Sequence, residues 1–201
     1  GRSPGGRERG KACGEDTMVC ETARNRVREM VDRLGDTCES DDRGWVVEVM
    51  GRKAGYIALN AGIACGATTI LIPEVPFDFE RDVIERMRRT QKAGKRHFII
   101  IVAEGVGGVQ EMAERIQRET GVESRATILG HVQRGGSPTV RDRVAGSQMG
   151  YRAVELLKEG TGNRVVAMQK DQIVDFDIFE ALNMKKSIDL DLYRVAHEIS
   201  I

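Results

Sequence analysis

The stretch ILGHVQRGGSP, from Ile128 to Pro138, decides how the rest of the sequence is interpreted. It overlaps an apolar run, Ala126 to Leu129, that is typical of the end of a strand. After it, apolar residues recur at helical spacing, and Ser137 and Pro138 suit the N-cap and the first position of a helix. The pattern therefore predicts a strand, a glycine turn and a helix.

Two cationic side chains, His131 and Arg134, lie just before this predicted helix. The first turn of a helix has unpaired N–H groups and the positive end of the helix dipole, and both favour an anion. One interpretation is therefore a phosphate or carboxylate pocket. The other is an ordinary strand-to-helix connection with a surface arginine, and the residue types alone do not decide between the two.

Predicted strands and helices alternate along the chain from Asp16 onward. The apolar run at 98–103 is continuous, as expected for a strand that is buried on both faces. The other predicted strands are 45–50, 68–75, 126–130 and 164–168, and the predicted helices are 19–34 (ended by Gly35), 54–64, 80–93, 111–120, 140–158 and 189–199. This alternation predicts an α/β fold with a mostly parallel sheet and helices on both faces.

The composition limits the classes of protein to which the chain can belong. A hydrophobic content of 40% supports a buried core, and 31 basic side chains balance 31 acidic ones, so no net charge attracts nucleic acid or an anionic membrane. No apolar run approaches the roughly 20 residues of a membrane helix, so no membrane partner is expected. The cysteines lie far apart in the sequence, which predicts reduced thiols in a cytoplasmic protein without a zinc site; they are Cys13, Cys20, Cys38 and Cys65.

Residues 1–15, GRSPGGRERGKACGE, are rich in glycine and arginine and have no apolar period. They are predicted to form a disordered or unrelated arm. A nucleic-acid-binding arm is the alternative. The segment has no aromatic residue and the rest of the chain is neutral, so no nucleic-acid partner is expected.

Polar residues follow three of the predicted strands. Gly51 and Arg52 follow one strand, Glu104 follows another, and His131 and Arg134 follow a third. Ligands of parallel sheets bind at the carboxyl ends of the strands, so these groups are expected to converge. Cations neutralise a phosphate and a carboxylate accepts hydroxyl hydrogen bonds, so the set suits a phosphorylated polyol. The alternative treats each residue separately, as a solvated strand end or an ion-pair partner.

Several motifs resemble those of bacterial-type 6-phosphofructokinases, and they occur in the same order. They are VVEVMGRKAGYIALNAGIA (46–64), IPEVPF (72–77), IVAEG (101–105), ILGHVQRGGSP (128–138), DRVAGSQMG (142–150), VDFDIFEAL (174–182) and NMKK (183–186). The resemblance covers roughly residues 16–201. It implies a kinase of glycolysis that transfers the γ-phosphoryl group of Mg-ATP to the 1-hydroxyl of fructose 6-phosphate, giving fructose 1,6-bisphosphate.

The resemblance also implies roles for residues at the ends of two predicted strands, 45–50 and 98–103. Met50 and Gly51 are implied to lie along the sugar. Arg52 faces the phosphoryl group in transit, where its charge stabilises the transition state. Glu104 is implied to bind sugar hydroxyls.

Four further cations are implied to hold the sugar 6-phosphate. His131 and Arg134 bind it from the same chain, whereas Arg43 and Arg125 reach it from a neighbouring subunit. A complete pocket then requires an oligomer, and the resemblance implies a homotetramer.

The sequence departs from the family pattern in the nucleotide half. The Thr-Ile-Asp-Asn-Asp segment that supplies the general-base aspartate is not present; Glu8 falls near its expected place, but nothing around it fits the motif. A GGDGS-type phosphate loop is also missing, so ATP and Mg²⁺ are expected to be bound mainly by a half that these residues do not contain. We therefore expect a C-terminal part of the enzyme that is inactive alone.

The resemblance divides the chain after the arm into three segments. Residues 16–132 form the sugar-phosphate-binding domain, 133–182 a remnant of the nucleotide-binding domain, and 183–201 a helix that returns to the first domain. Without its usual sheet partner, the remnant is expected to leave an apolar stripe partly exposed, formed by Val140, Val144, Tyr151, Val154 and Leu157.

Regulation and phosphoryl donor stay open at this point. Many bacterial members bind nucleotide effectors with a basic and an acidic residue, whose positions here are Gly35 and Thr68, so effector control of that kind is not expected. A pyrophosphate-dependent phosphofructokinase is the alternative within the class. A non-catalytic remnant or subunit that binds sugar phosphate is the alternative from another class.

Overall fold

The computed structural model describes residues 18–38, 43–169, 171–184 and 187–199. The predicted arm and Glu8 lie outside these residues. The helices are α1 (Met18–Cys38), α2 (Tyr56–Ala64), α3 (Arg86–Lys92), α4 (Val109–Thr120), α5 (Val140–Lys158), α6 (Ile178–Asn183) and α7 (Leu190–Ile199). The strands are β1 (Gly44–Val49), β2 (Thr69–Leu71), β3 (Phe98–Ala103), β4 (Ser124–Ile128), β5 (Arg164–Gln169) and β6 (Gln172–Asp177). A π-helical turn (Glu80–Glu85) leads into α3, and a 3₁₀ segment (Gly130–Arg134) follows β4.

The centre of the fold is a four-stranded parallel sheet in the order β2-β3-β1-β4. In register, Gly44 at the start of β1 lies between Phe98 of β3 and Ser124 of β4. All six residues of β3 are buried, in agreement with its continuous apolar sequence. The predicted α/β class with a mostly parallel sheet is therefore confirmed.

Alternate side chains of β1 and β3 point into two separate cores. Val47 of β1 and Ile101 of β3 belong to a core that includes residues of α1, α2 and α7, such as Leu59. Val46 and Ile100 belong to a core formed with the π-helical turn, α3 and α4. The period-2 alternation of a strand thus buries apolar side chains on both faces and holds helices on each.

The chain divides into two compact units. The larger comprises residues 23–136 and 188–201 and contains the parallel sheet; the smaller comprises 137–187 with the first turn of α1, up to Thr22. The smaller unit contains α5, α6 and an antiparallel hairpin of β5 and β6, of which only β5 was predicted. The assignment of sugar-phosphate and nucleotide binding to segments 16–132 and 133–182 remains a prediction.

The start of α5 differs from the prediction. Its N-cap is Thr139, so the prediction of Ser137 as N-cap and Pro138 as first helical residue is wrong. The Thr139 hydroxyl accepts from the Asp142 N–H at 3.1 Å, and the Asp142 carboxylate accepts from the Thr139 N–H at 2.9 Å. This reciprocal capping satisfies two N–H groups, which a cap at Ser137 would not do. Two other limits also differ: α1 continues past Gly35 to Cys38, and β2 ends at Leu71.

The outer face of α5 carries the expected apolar stripe. Its five side chains are each more than half exposed: Val140, Val144, Tyr151, Val154 and Leu157. This exposure confirms the sequence prediction. An apolar face of this kind is typical of a surface that another chain segment covers.

Helix α7 is held to the rest of the larger unit through a half-buried histidine, His197. Its Nδ1 lies 3.2 Å from the Arg86 guanidinium, whose other Nη donates to the His197 carbonyl oxygen. The His197 ring packs on the Tyr193 ring with the centroids 4.5 Å apart. The Tyr193 hydroxyl donates to the Ile70 carbonyl oxygen at 3.3 Å.

The surroundings of His197 predict that the free energy of unfolding decreases at acid pH. Burial, followed by the charge of Arg86, lowers the pKa of His197 below its ordinary value of 6.5, although Asp82 opposes the shift. The unfolded chain then binds more protons than the folded one, so His197 stabilises the fold fully above pH 6.5 and progressively less as pH falls toward its lowered pKa. Urea unfolding between about pH 7 and 5 measures this slope. His197→Asn, which cannot titrate, is expected to flatten it, and an unchanged slope would contradict the prediction.

Candidate functional site

Three segments of the predicted site follow adjacent strands of the sheet. The loop from Met50 to Gly55 follows the central strand β1, Glu104 follows β3, and the 3₁₀ segment follows β4. The alignment continues past the strand ends, because the Glu104 N–H donates to the Val49 carbonyl at 2.9 Å and the Leu129 N–H donates to the Glu48 carbonyl at 3.1 Å. The predicted convergence at the carboxyl edge of the sheet is thus present in the larger unit.

The β1 loop has an uncommon backbone. Arg52 has a φ of 56°, in the left-handed region that residues other than glycine rarely adopt. A tight turn precedes α2, in which the Ala54 N–H donates to the Gly51 carbonyl at 3.1 Å. A conformation of this kind costs about 1–3 kcal/mol and persists only where neighbouring groups hold it.

Side chains from three neighbouring loops hold the β1 loop by its N–H groups. The Met50 N–H donates to Gln133 Oε1 at 2.7 Å, and the Gly55 N–H donates to the Glu74 carboxylate at 2.8 and 3.1 Å. Between them, the Arg52 N–H donates to Glu104 Oε1. Gln133 and Glu74 did not emerge from the sequence, because nothing in their local pattern indicates a partner in a distant loop.

Glycines allow the loops to approach each other closely. A Cβ at Gly105 would lie 2.7 Å from the Arg52 carbonyl oxygen, and a Cβ at Gly55 would lie 2.3 Å from Cγ2 of Ile72. Larger residues at either position would separate the β1 loop from the loops after β3 and β2. These contacts explain why the IVAEG motif ends in glycine.

The cationic side chains of the site are solvent-exposed. Among the described residues, neither the His131 ring nor the guanidinium groups of Arg52 and Arg134 have a hydrogen-bond or ion-pair partner. These three groups are therefore available to a ligand at the carboxyl edge.

An arginine of α1 holds the turn that follows the 3₁₀ segment. Arg26 Nε donates to the Gly135 carbonyl at 3.3 Å, and its Nη1 pairs with Glu29 at 2.9 Å. A Cβ at Gly136, where φ is 102°, would lie 2.3 Å from Arg26 Nε. Glycine at this position thus fits both the backbone and the arginine, and the sequence did not indicate this role for Arg26.

Glu48 of β1 adds negative charge beneath the site. Burial raises the pKa of its carboxyl group, and the nearby charge of Glu104 raises it further. Ionisation of Glu48 is therefore less favourable than that of a glutamate in water.

Arg43 and Arg125 lie at the opposite, amino edge of the sheet. Arg43 precedes β1 and Arg125 is near the start of β4, so the length of the strands separates both from Glu104. They flank Glu123, with Arg43 Nε at 3.3 Å and Arg125 Nη2 at 2.9 Å from its carboxylate. The hydrogen bond from Arg125 lowers the pKa of Glu123, and the charge of Arg43 adds to this effect. Their predicted contribution to a neighbouring subunit's site remains a prediction.

A cavity of about 660 Å³ lies beside the site but is not lined by its cations. Its walls are mainly apolar and come from the loop after β2, the loop after β3 and the start of α4; they include Phe77, Phe79 and Met112. Arg115 stacks on the Phe79 ring there, 4.6 Å from its centroid. Glu104 and His131 are not among the lining residues.

The structure offers no resident metal site within residues 18–38, 43–169, 171–184 and 187–199. No group of three or more His, Cys, Asp or Glu side chains lies together there. None of the helices in this part of the chain is long and apolar enough to cross a membrane. At the two effector positions, Thr68 is buried and Gly35 lies within α1.

Comparisons with known proteins agree with the motifs. A family model described as phosphofructokinase matches residues 12–157. The chain is 51% identical over 185 residues to the ATP-dependent 6-phosphofructokinase of Bacillus cytotoxicus and 51% identical over 189 residues to that of Brevibacillus brevis. These matches cover 92% and 94% of this chain, but the chain spans only 58% and 59% of those relatives.

Solved structures give the same result for the fold. Phosphofructokinase from Saccharomyces cerevisiae matches with a TM-score of 0.81 and 33% identity over 95% of this chain and 27% of that one. A pyrophosphate-dependent phosphofructokinase from Marinobacter aquaeolei matches with a TM-score of 0.72 and 23% identity over 92% of this chain and 54% of that one, which establishes the shared fold alone. The sequence motifs, the arrangement of the three strand ends and the family match together show that this chain belongs to the phosphofructokinase family.

Proposed function

We propose that this chain carries the fructose 6-phosphate site of an ATP-dependent 6-phosphofructokinase. The observation that carries the proposal is the hydrogen bond from the Arg52 N–H to Glu104, which joins two strand-end segments of the site at one edge of the sheet. The third segment, with His131 and Arg134, is tied to the same loop through the Met50 N–H. A sugar phosphate needs such a combination of cations and a hydroxyl acceptor.

Each of these segments is proposed to bind a different part of the sugar phosphate. His131 and Arg134 bind the 6-phosphate through charge-assisted hydrogen bonds. Glu104 has a second carboxylate oxygen that accepts from the sugar hydroxyls, and Met50 and Gly51 lie along the sugar.

Arg52 is proposed to face the phosphoryl group in transit. Phosphoryl transfer depends mainly on positioning and on stabilising charge, and an arginine supplies both. A base must still accept the proton of the attacking hydroxyl, and we assign no residue of this chain to that role.

The donor is proposed to be ATP, because the relatives at 51% identity are named ATP-dependent enzymes. Magnesium bound with ATP would supply charge neutralisation at the phosphates. We assign no residue of this chain to it, because the described residues contain no suitable cluster.

The site is proposed to be completed in a homo-oligomer, specifically a tetramer, of a cytoplasmic glycolytic enzyme. Arg43 and Arg125 would then bind the 6-phosphate of a neighbouring subunit. Both arginines lie at the amino edge of the sheet, about the length of a strand away from Glu104 of their own chain. This position supports a role in another subunit's site.

A second candidate is a subunit that binds sugar phosphate without catalysing transfer. The observation that favours it is that residues 1–15 do not contain the Thr-Ile-Asp-Asn-Asp segment that the resemblance leads one to expect there. The two candidates share the sugar-phosphate site and differ in whether phosphoryl transfer occurs when a nucleotide-binding half is supplied.

The test combines turnover with binding on the purified chain, after circular dichroism has shown that it is folded. With Mg-ATP and fructose 6-phosphate, a coupled assay is expected to detect no fructose 1,6-bisphosphate. Calorimetry is expected to show saturable binding of fructose 6-phosphate, much tighter than that of fructose, because the phosphate contacts supply most of the binding energy. Turnover would refute inactivity of the chain alone, and absence of binding by a folded chain would refute the site.

A nucleotide-binding fragment of a bacterial relative, added in trans, separates the two candidates. Restored transfer supports the kinase. Binding of fructose 6-phosphate without transfer supports the non-catalytic subunit.

A further inference from the structure

The β1 loop, defined as Met50 to Gly55, is held at three separate N–H groups. The partners are Gln133, Glu104 and Glu74, which come from the loops after β4, β3 and β2 respectively. The left-handed conformation of Arg52 lies between the outer two of these contacts. Because such a backbone is unfavourable by itself, the surrounding contacts must determine it.

Gln133 differs from the other two partners in its burial. It is only 3% exposed, whereas Glu74 is exposed and Glu104 is partly exposed. Its Oε1 accepts from the Met50 N–H at 2.7 Å, but its Nε2 is buried and has no hydrogen-bond partner among the described residues. A buried donor without a partner destabilises the fold, so packing alone does not explain an amide side chain at this position.

Gln133 also lies between two segments of the site, the 3₁₀ segment and the β1 loop. It lies in the same 3₁₀ segment as His131 and directly precedes Arg134. Through Met50 it contacts the β1 loop, two residues before Arg52. The side chain is thus a direct hydrogen-bonded link between the segment with the proposed phosphate-binding cations and the loop with Arg52.

We propose that Gln133 is a positioning residue that fixes Arg52 relative to His131 and Arg134. The proposal rests on the function proposed above. Gln133 does not touch the substrate. It sets the backbone of the β1 loop, so that a sugar phosphate held at the 3₁₀ segment presents its other end to Arg52.

The test replaces Gln133 by Met, which has a similar length and no acceptor for the Met50 N–H. Residue-resolved amide hydrogen exchange by NMR and calorimetric binding of fructose 6-phosphate are measured on the complete 201-residue chain. In Gln133→Met, exchange at both Met50 and Arg52 is expected to accelerate at least about tenfold, and binding to weaken about tenfold. Gln133→Glu keeps an acceptor oxygen and is expected to restore slow exchange at both amides.

Thr90→Val is the matched control for a buried polar side chain. Thr90 is 1% exposed and its hydroxyl donates to the Arg86 and Met87 carbonyls, away from the β1 loop. This variant is expected to lower the unfolding midpoint without changing exchange at Arg52 or the affinity for fructose 6-phosphate.

The outcomes separate this proposal from the proposed function. If Gln133→Met accelerates exchange only at Met50, or binds fructose 6-phosphate as tightly as the parent chain, Gln133 is a structural cap and the proposal is wrong. If the parent chain binds no fructose 6-phosphate while exchange at Arg52 depends on Gln133, the proposed function fails but the positioning of Arg52 stands. If both exchange and binding change as expected, both are supported.

Discussion

Replacing Ile101 by Ala is expected to lower the free energy of unfolding by about 2–5 kcal/mol, the largest effect of any single truncation proposed for this chain. Ile101 is fully buried in β3 and lies in register between Ile70 of β2 and Val47 of β1. Removing its side chain loses apolar burial and leaves a cavity in a core that helices cover. Urea unfolding followed by circular dichroism measures the loss.

Ile128→Ala provides the matched control. Ile128 lies at the end of the edge strand β4 and is 65% exposed, so its truncation is expected to change stability by less than about 0.5 kcal/mol. Should Ile101→Ala fail to fold, Ile101→Val keeps the comparison possible, with an expected loss of about 0.5–1.5 kcal/mol. Equal losses at positions 101 and 128 would contradict the assignment of β3 as a buried inner strand and of β4 as an edge strand.

Replacing Arg134 by Ala is expected to weaken binding of fructose 6-phosphate by about 10- to 100-fold. Its guanidinium is exposed beside the carboxyl edge and has no ion-pair partner among the described residues, so no acidic group competes with a phosphate for it. The lost charge-assisted hydrogen bonds account for the size of the effect. Calorimetry at low and high salt measures it, and the parent chain is expected to lose affinity more steeply with salt than the variant.

Arg118→Ala controls for the loss of a surface charge. Arg118 is an exposed residue of α4, and α4 does not contribute to the proposed site. The variant is expected to bind fructose 6-phosphate as the parent chain does. Equal weakening by both variants would show that net charge, and not the position of Arg134, governs binding.

The core strands show how much a local pattern determines. Phe98–Ala103 was predicted to the residue, because a short continuous apolar run between polar residues is typical of a strand that is buried on both faces. The amphipathic repeat of α5 likewise predicted the helix, whereas the exposure of its apolar stripe was expected only from the resemblance. The cap of α5 was misplaced, because Ser137 and Thr139 both have side chains suited to capping and only Thr139 meets Asp142 with the right geometry.

The candidate site divides in the same way. The residue types after each strand, and the resemblance that they carry, predicted that Arg52, Glu104, His131 and Arg134 belong to one site, and this assignment stays a prediction. The contacts of Gln133 and Glu74 could not be predicted, because each joins two separate loops. Gln133 is 83 residues from Met50 along the chain, and Glu74 is 19 residues from Gly55. Such contacts depend on strand order and register, which place β1 between β3 and β4.

The sequence by itself determined most of the buried strands and helices of the larger unit and which polar side chains follow the strands, because these properties follow from the period of local structure. Only the tertiary structure decided which N–H of the β1 loop meets which side chain, and that Arg52 adopts a left-handed backbone. It also decided that Arg43 and Arg125 lie at the opposite edge from Glu104. The physical reason is that local spacing sets the side of a strand to which a residue points, whereas the neighbours of that residue are set by the packing of the whole sheet.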